Sequence, residues 1–201
     1  MKIMKEILPK ALILCIIMTV ICGVIYPLFV TGIAQVFFKD KADGSIIEID
    51  GVKYGSELLG QQYTGDEYLW GRIMNIDTKT FTDDNGNGVM YATPSNISVT
   101  GKEYGTLIAQ RVASIQAANP NADTDTIPVD LVTCSGSGMD PHISVAAAMY
   151  QVERLASSRN MTVEQVTGII NKYTTGRFLG VFGEKVVNVL EVNLALDGIL
   201  K

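Results

Sequence analysis

The sequence predicts an α+β protein, with one N-terminal transmembrane helix followed by a single mixed α+β extracytoplasmic domain. The first observation is a run of 28 residues, 11–38, that contains no charged side chain. The second is that helical and strand patterns follow one another in residues 39–201 without regular βα alternation, which is typical of α+β folds. The third is size, because about 160 residues is an ordinary length for one domain.

The apolar run predicts a membrane-spanning helix over about residues 12–33, since about 20 apolar residues cross the hydrocarbon core of a bilayer. A cleaved signal peptide would have a shorter apolar region of about 7–15 residues and a small-residue cleavage site. We therefore interpret residues 1–38 as a short cytoplasmic tail and a retained anchor. Pro27 predicts a kink in this helix, and Thr19 and Gly23 offer a small-residue face for packing against another helix.

Charge predicts the orientation of the anchor and narrows the possible partners of the domain. Lys2, Lys5 and Lys10 precede the apolar run with only Glu6 against them, which places the N-terminus in the cytoplasm and residues 39–201 outside it. The whole chain has a formal net charge of −5, and an acidic domain argues against nucleic-acid binding. Cys134 is the only cysteine beyond the run, so no disulfide is expected within the domain.

Local patterns predict the elements of the domain in order. Alternation around Ile47 and Ile49, followed by Asp50-Gly51, predicts a hairpin. The Gly-, Asn-, Asp- and Thr-rich residues 77–96 predict a long loop. A capping box at Thr162-x-x-Gln165 predicts a helix to about Tyr173. Apolar spacing predicts the remaining elements: helices over 104–118 and 145–158, a loop over 119–126, and strands over 128–133 and 186–196.

Residues 131–154, LVTCSGSGMDPHISVAAAMYQVER, contain the only histidine of the chain. A membrane-anchored extracytoplasmic serine hydrolase would use Ser135 or Ser137 with His142. Neither serine has glycines at both i−2 and i+2, as a nucleophile elbow requires, and triad members normally converge from separated segments. We therefore expect no catalytic residue in the chain, and the hydrolase is kept as the alternative.

The same stretch suggests a site for ATP or another anion. Ser135, Gly136, Ser137 and Gly138 are candidates because a strand, a glycine turn and a helix in this order present backbone N–H groups to an anion. The spacing matches neither the Walker pattern nor the dinucleotide-binding glycine pattern. A tight strand-to-helix connection explains the same residues, so both interpretations stay open.

Two patterns in the sequence partly resemble metal sites. Asp83, Asn85, Asn87 and Gly88 match the first half of an EF-hand loop, but a proline stands at the twelfth position, where the bidentate carboxylate belongs. His142 has no second histidine or cysteine near it in the sequence that would complete a typical zinc site. We expect no metal ligands.

Longer stretches resemble one known family, the C subunit of the Kdp-type potassium-transporting ATPase. They begin with YPLFVTGIAQVFF (26–38), GSELLGQ (55–61) and WGR (70–72). The resemblance is densest in PVDLVTCSGSGMDPHISVAAAMYQVERLA (128–156) and GRFLGVFGEKVVNVLEVNLALD (176–197). Cys134 departs from the alanine usual in the family, and the segment SNISVTGKEY from residue 95 departs from its SNLGPTNP pattern.

The resemblance implies a non-catalytic, single-pass subunit of a high-affinity potassium-uptake complex in the cell membrane. Its implied partners are a channel-like potassium-binding subunit and a P-type subunit that hydrolyses ATP. The chain is expected to have no cofactor of its own, because the complex handles ATP and potassium. The family is also described as a catalytic chaperone that raises the ATP affinity of the hydrolysing subunit. Since an exterior domain would not meet cytosolic ATP, we expect stabilisation of the complex over the channel's outer mouth.

Overall fold

The computed structural model describes residues 2–122 and 126–201, which form two compact units divided after Ile46. Helices and strands are mixed in the second unit, and a long apolar helix lies in the first. The predicted α+β class with an N-terminal apolar helix is therefore confirmed. Part of the predicted loop over 119–126, residues 123–125, lies outside the described residues.

The first unit is dominated by one helical segment. It comprises α1 (Lys2–Val20), a π-helical turn (Ile21–Ile25) and α2 (Tyr26–Phe37), and a short helix, α3 (Lys39–Ala42), follows. The 33 residues Lys5–Phe37 are the one helix of the described residues that is long and apolar enough to cross a membrane. Pro27 has no N–H to donate and its ring would crowd the Gly23 carbonyl. The π-helical turn directly before it, closed by a bond from the Tyr26 amide to the Ile21 carbonyl, absorbs this defect.

Two hairpins open the second unit. The first, β1 (Ile46–Ile49) and β2 (Val52–Ser56), was predicted. The second, β3 (Ile76–Thr82) paired antiparallel with β4 (Gly88–Ala92), stands where the sequence predicted a loop. That prediction was wrong because the Asn-, Asp- and Gly-rich composition belongs mainly to the connecting turn. There Asp83 accepts hydrogen bonds from the amides of Asn85 and Asn87 at 2.9 and 2.8 Å.

The rest of the unit packs helices on a small antiparallel sheet. The elements are α4 (Lys102–Ala118), a 3₁₀ turn (Val129–Leu131), β5 (His142–Ser144), α5 (Val145–Met149), α6 (Val152–Arg159), α7 (Val163–Lys172), β6 (Thr174–Thr175), β7 (Val186–Asn188) and α8 (Val189–Leu196). The strand order is β5-β7-β6. The core sits between this sheet and helices α5–α8, where Ile143, Leu155, Val166, Val187 and Val192 are almost fully buried.

Two predicted strands are wrong. Residues 128–133 form the 3₁₀ turn instead. Residues 186–196 form only the short β7 before α8 begins at Val189, because the Asn188 side chain accepts a bond from the Glu191 amide and caps the helix. Most residues of α8 are buried whichever way they point. A helix that is enclosed by protein has no polar face. Its sequence therefore lacks the 3.6-residue apolar period of a surface helix and can resemble that of a strand.

The predicted helix over 145–158 is present as two helices, α5 and α6, that meet at Tyr150 and Gln151. The capping box of α7 is confirmed: the Thr162 hydroxyl accepts a bond from the Gln165 amide, and the Gln165 side chain accepts one from the Thr162 amide. Asn160, two residues before the Thr162 cap, takes the left-handed conformation that ends α6.

Two buried side-chain amides attach the irregular segment between β2 and β3 to the core. We call this segment, residues 57–75, the attached segment. The Asn193 amide accepts from the Leu69 N–H at 2.7 Å and donates to the Leu69 carbonyl at 3.0 Å. The Gln151 amide makes the same pair with Trp70, at 2.9 and 3.0 Å. Each side chain therefore takes the place of a neighbouring strand, since it offers one donor and one acceptor to one residue of the backbone.

Arg154 binds the part of the attached segment that directly precedes Leu69 and Trp70. Its guanidinium donates to the carbonyls of Asp66 and Tyr68, to the Asn119 side chain and to the Gln151 side chain. It also lies 4.4 Å from the centre of the Trp70 ring, a cation–π contact. Burial lowers the pKa of Arg154 to about 10, so the side chain remains charged at neutral pH.

We predict that Gln151→Ala lowers the free energy of unfolding by about 3 kcal/mol, because it leaves the Trp70 amide and one Arg154 donor buried without a partner. Chemical denaturation of the full chain in detergent micelles, followed by circular dichroism, measures this loss. Gln62→Ala is the matched control, since Gln62 is exposed and its loss should change stability by less than about 0.5 kcal/mol. Equal midpoints for the two variants would contradict the role given to the Gln151 amide.

Candidate functional site

Arg72 forms the centre of a polar cluster at the end of the attached segment. Its Nη1 atom lies 3.3 Å from the Asp130 carboxylate and 3.8 Å from that of Asp140. Its Nη2 atom lies 3.5 Å from the Thr133 hydroxyl. The buried Nε atom has no hydrogen-bond partner among the residues that the structure describes. One guanidinium thus pairs with two carboxylates from either side of the Ser-Gly-Ser-Gly tract, and this holds the loop between Asp130 and Asp140.

Both aspartates also bind the backbone that leads into α5. Asp130 accepts from the Ser144 amide at 2.9 Å, and Asp140 accepts from the His142 amide at 3.0 Å. The His142 Nδ1 atom lies 3.9 Å from the Asp140 carboxylate, and the imidazole is about one-third exposed. Ser144 caps α5 by accepting a hydrogen bond from the Ala147 amide at 3.1 Å.

A cavity of about 400 Å³ opens beside this cluster. Charged side chains of both signs line it: Arg72, Asp130, Asp140, Glu184 and Lys185. The single histidine also faces it. The opposed charges partly neutralise one another, so the cavity suits water and polar groups better than a single bare ion.

The predicted anion-binding residues Ser135, Gly136, Ser137 and Gly138 lie together in the loop of this cluster. The Ser135 and Ser137 hydroxyls are 3.2 Å apart. Ser135 accepts from the Gly138 amide at 3.0 Å, and Ser137 accepts from the Met139 amide at 3.2 Å. These two N–H groups, which would face a phosphate in an anion site, are therefore bound by the hydroxyls of the same loop. No strand precedes the loop, because residues 129–131 form a 3₁₀ turn.

Gly138 has a packing role that only glycine fulfils. Its φ is +75°, and a Cβ atom there would come within 2.5 Å of the Thr93 carbonyl oxygen. This closeness lets the base of the β3–β4 hairpin contact the loop, where the Asn75 amide donates to the Gly138 carbonyl at 3.0 Å. Gly136 differs, since a Cβ atom there would meet open space. One glycine of the tract is thus required by packing, and the other is not.

The residues of the hydrolase alternative are not arranged as a triad. Within residues 2–122 and 126–201, no hydrogen bond joins His142 to Ser135 or Ser137. The hydroxyls bind each other and backbone amides, and the charged neighbour of the imidazole is the Asp140 next but one in sequence. A general base within reach of its nucleophile is the geometric requirement for such chemistry.

A second cleft, of about 290 Å³, lies between α4 and the attached segment. Its lining is mostly apolar, with Trp70, Met74 and Leu107 on the walls and Arg72 and Arg111 among them. Arg111 donates to the Val132 carbonyl at 2.9 Å, and Arg72 faces its two aspartates. Arg72 is therefore paired with carboxylates within the fold, whereas Arg111 is held by a backbone carbonyl.

Sequence reasoning missed Arg72, Asp130, Gln151 and Arg154 as structural centres. In the sequence, Trp70-Gly71-Arg72 stands out only through the family resemblance. No local pattern pairs Arg72 with Asp130, 58 positions further along the chain, or Trp70 with Arg154, 84 positions further along. Such long-range pairs leave no periodicity in the sequence. The available signal was the position of Arg154 between Val152 and Leu155, two apolar residues at helical spacing.

The sequence of the chain is similar to those of known proteins. The family model described as "K+-transporting ATPase, c chain" matches residues 8–198. The potassium-transporting ATPase KdpC subunit of Clostridium botulinum (strain Eklund 17B / Type B) is 60% identical over 201 residues, which is all of both chains. The KdpC subunit of Clostridium perfringens (strain ATCC 13124) is 59% identical over 196 residues, covering 98% of this chain and 99% of the relative.

More distant relatives keep the same full-length match. The KdpC subunit of Janthinobacterium sp. (strain Marseille) is 42% identical over 194 residues, covering 96% of this chain and 99% of the relative. The matched region includes the apolar helix, the attached segment and the Arg72 cluster alike. The chain therefore belongs to the KdpC family, the c chain of K+-transporting ATPases.

Proposed function

We propose that this chain is the non-catalytic accessory subunit of a high-affinity, ATP-driven potassium-uptake complex. The full-length family match carries the proposal, since it covers residues 8–198. The partners we propose are a channel-like potassium-binding subunit and a P-type subunit that hydrolyses ATP. The chain itself supplies no cofactor, and its role is to assemble and stabilise the complex.

The proposed orientation puts the N-terminus in the cytoplasm and the domain outside the cell membrane. Lys2, Lys5 and Lys10 before the span support this orientation. The domain would then sit over the outer mouth of the channel-like subunit. Residues 47–201 carry 18 acidic and 11 basic side chains, so the domain would also attract cations locally, an effect screened over about 8 Å at physiological salt.

Deleting residues 39–201 should abolish potassium-stimulated ATPase activity of the purified complex, because the anchor alone lacks the surfaces that hold the complex together. The apolar helix should still be found in the membrane fraction, which serves as the control for expression and insertion. Full activity with this truncation would overturn the proposed role of the domain.

We propose further that the subunit acts as a catalytic chaperone, raising the ATP affinity of the hydrolysing subunit through the assembled complex rather than by touching ATP. The extracytoplasmic orientation supports action at a distance. The Gly138 and Met139 amides are also already bound to serine hydroxyls. The competing proposal is that Ser135–Gly138 contact the phosphates of ATP directly.

Gly136→Asp distinguishes the two proposals. A side chain at this position meets open space, so the fold should tolerate it, while the added carboxylate would repel a phosphate bound at the tract. We expect the KM for ATP of the complex to stay unchanged, as with the control Gly168→Asp, whose side chain also meets open space. A KM raised only by Gly136→Asp would instead favour direct contact.

His142→Ala tests the hydrolase alternative. The imidazole is partly exposed and its charged neighbour is 3.9 Å away, so its loss should cost less than about 1 kcal/mol of stability. The complex should retain most of its potassium-stimulated activity. An ester-hydrolysing activity in the wild-type complex that disappears in this variant would establish the alternative.

A further inference from the structure

The segment between β6 and β7 forms a turn with an apolar tip, which the described residues of its own unit leave exposed. Phe178, Leu179, Val181 and Phe182 are 64–76% exposed, and every residue from Thr175 to Lys185 is exposed. Soluble surfaces seldom expose several large apolar side chains side by side, and such a patch marks an interaction site. We call these four residues the apolar tip.

The backbone fixes the shape of the apolar tip. The Phe178 amide donates to the Phe182 carbonyl at 2.8 Å, and the Phe182 amide donates to the Phe178 carbonyl at 2.9 Å. Arg177 and Glu184 form an ion pair of 2.6 Å across its base. The tip is thus ordered before it meets a partner, which lowers the entropy lost on binding.

Folding alone does not explain leucine at the turn. Leu179 has a φ of +52°, a conformation that suits glycine or asparagine better than a leucine. A polar residue would also remove exposed apolar area. Because both the backbone and the solvent disfavour this side chain, its presence indicates that the apolar surface itself is used.

The charge around the apolar tip is opposite to that of the rest of the domain. Residues 172–185 carry three basic side chains and one acidic one, whereas the remainder of residues 47–201 carries 8 basic and 17 acidic ones. The three cations, Lys172, Arg177 and Lys185, flank the tip rather than interrupt it. Apolar side chains with flanking cations are the pattern of segments that enter the lipid interface and bind its phosphates.

A bilayer is also the surface to which this chain is linked. The apolar helix ends at Phe37, and only eight residues separate it from the first strand at Ile46. A short covalent link gives the domain a high effective concentration at lipid, so that a modest apolar area is enough for contact.

We propose that the apolar tip inserts into the interfacial layer of the bilayer that holds the chain's own helix. Its four apolar side chains contact acyl chains, and the excess of basic over acidic side chains in residues 172–185 favours the lipid phosphates. The inference rests on the proposed membrane anchorage, but it does not depend on the orientation of the anchor or on the partner subunits.

The test uses the full chain reconstituted in vesicles of phosphatidylethanolamine and phosphatidylglycerol, with plain or brominated acyl chains. Phe182→Trp places a fluorescent reporter in the apolar tip, and the signal of Trp70, the only native tryptophan, is subtracted with the wild type. Val99→Trp is the matched control, since Val99 is 72% exposed outside the tip. We expect the Phe182→Trp emission to shift to shorter wavelength and to be largely lost in brominated lipid, whereas Val99→Trp changes little.

Flotation of the same vesicles separates the failure of this inference from that of the anchorage. Co-flotation with equal, weak quenching of both reporters would overturn the lipid contact while the anchor stands. A Phe182→Trp shift that appears only in the purified complex would overturn it in favour of a protein partner. Protein that does not float would overturn the anchorage and the lipid contact together.

Discussion

The interaction on which the domain depends is the pairing of side-chain amides with the backbone of Leu69 and Trp70. Asn193 projects from α8 and Gln151 from the junction of α5 and α6, so two helices separated in sequence hold one irregular segment. A segment without strand partners leaves buried N–H and C=O groups that must be satisfied elsewhere. Because Leu69 and Trp70 are fixed in this way, Arg72 follows two residues later at a defined place. From there it reaches both aspartates of the serine–glycine loop.

The features predicted correctly from sequence are those whose cause is local. A charge-free run specifies a membrane-length helix, and the pair Thr162 and Gln165 specifies the start of α7, because each depends only on neighbours in the chain. The features missed depend on distant residues. The apolar alternation before Leu196 was assigned to a strand, since nothing local reveals that α8 is enclosed on all sides. The β3–β4 hairpin was missed because β3 carries only Ile76 and Phe81 as apolar residues, and the turn-rich composition around residues 83–88 dominated the pattern.

The serine–glycine tract shows how a fold can use residues that resemble a ligand site. Ser135 and Ser137 bind the amides of their own loop, and Gly138 permits the approach of the Thr93 backbone. The Gly138 and Met139 amides, which could face an anion, thus have partners two or three residues away in the chain. Composition alone therefore does not separate an anion cradle from a tight connection. The separation requires the hydrogen-bond partners of each amide, which depend on how Asn75 and Arg72 approach from other parts of the chain.

The residues that stabilise the fold and the residues that are exposed for binding lie in different parts of the domain. The amides, Arg154 and the Arg72 cluster are buried or paired, so changes there alter the fold before they alter any contact with a partner. The apolar tip has the opposite character, because its four side chains make no core contacts and their exposure costs free energy in water. An accessory subunit works through its contacts with other molecules. An exposed apolar surface gains free energy by leaving water, and the four side chains of the apolar tip are more exposed than the apolar side chains of the β3–β4 hairpin.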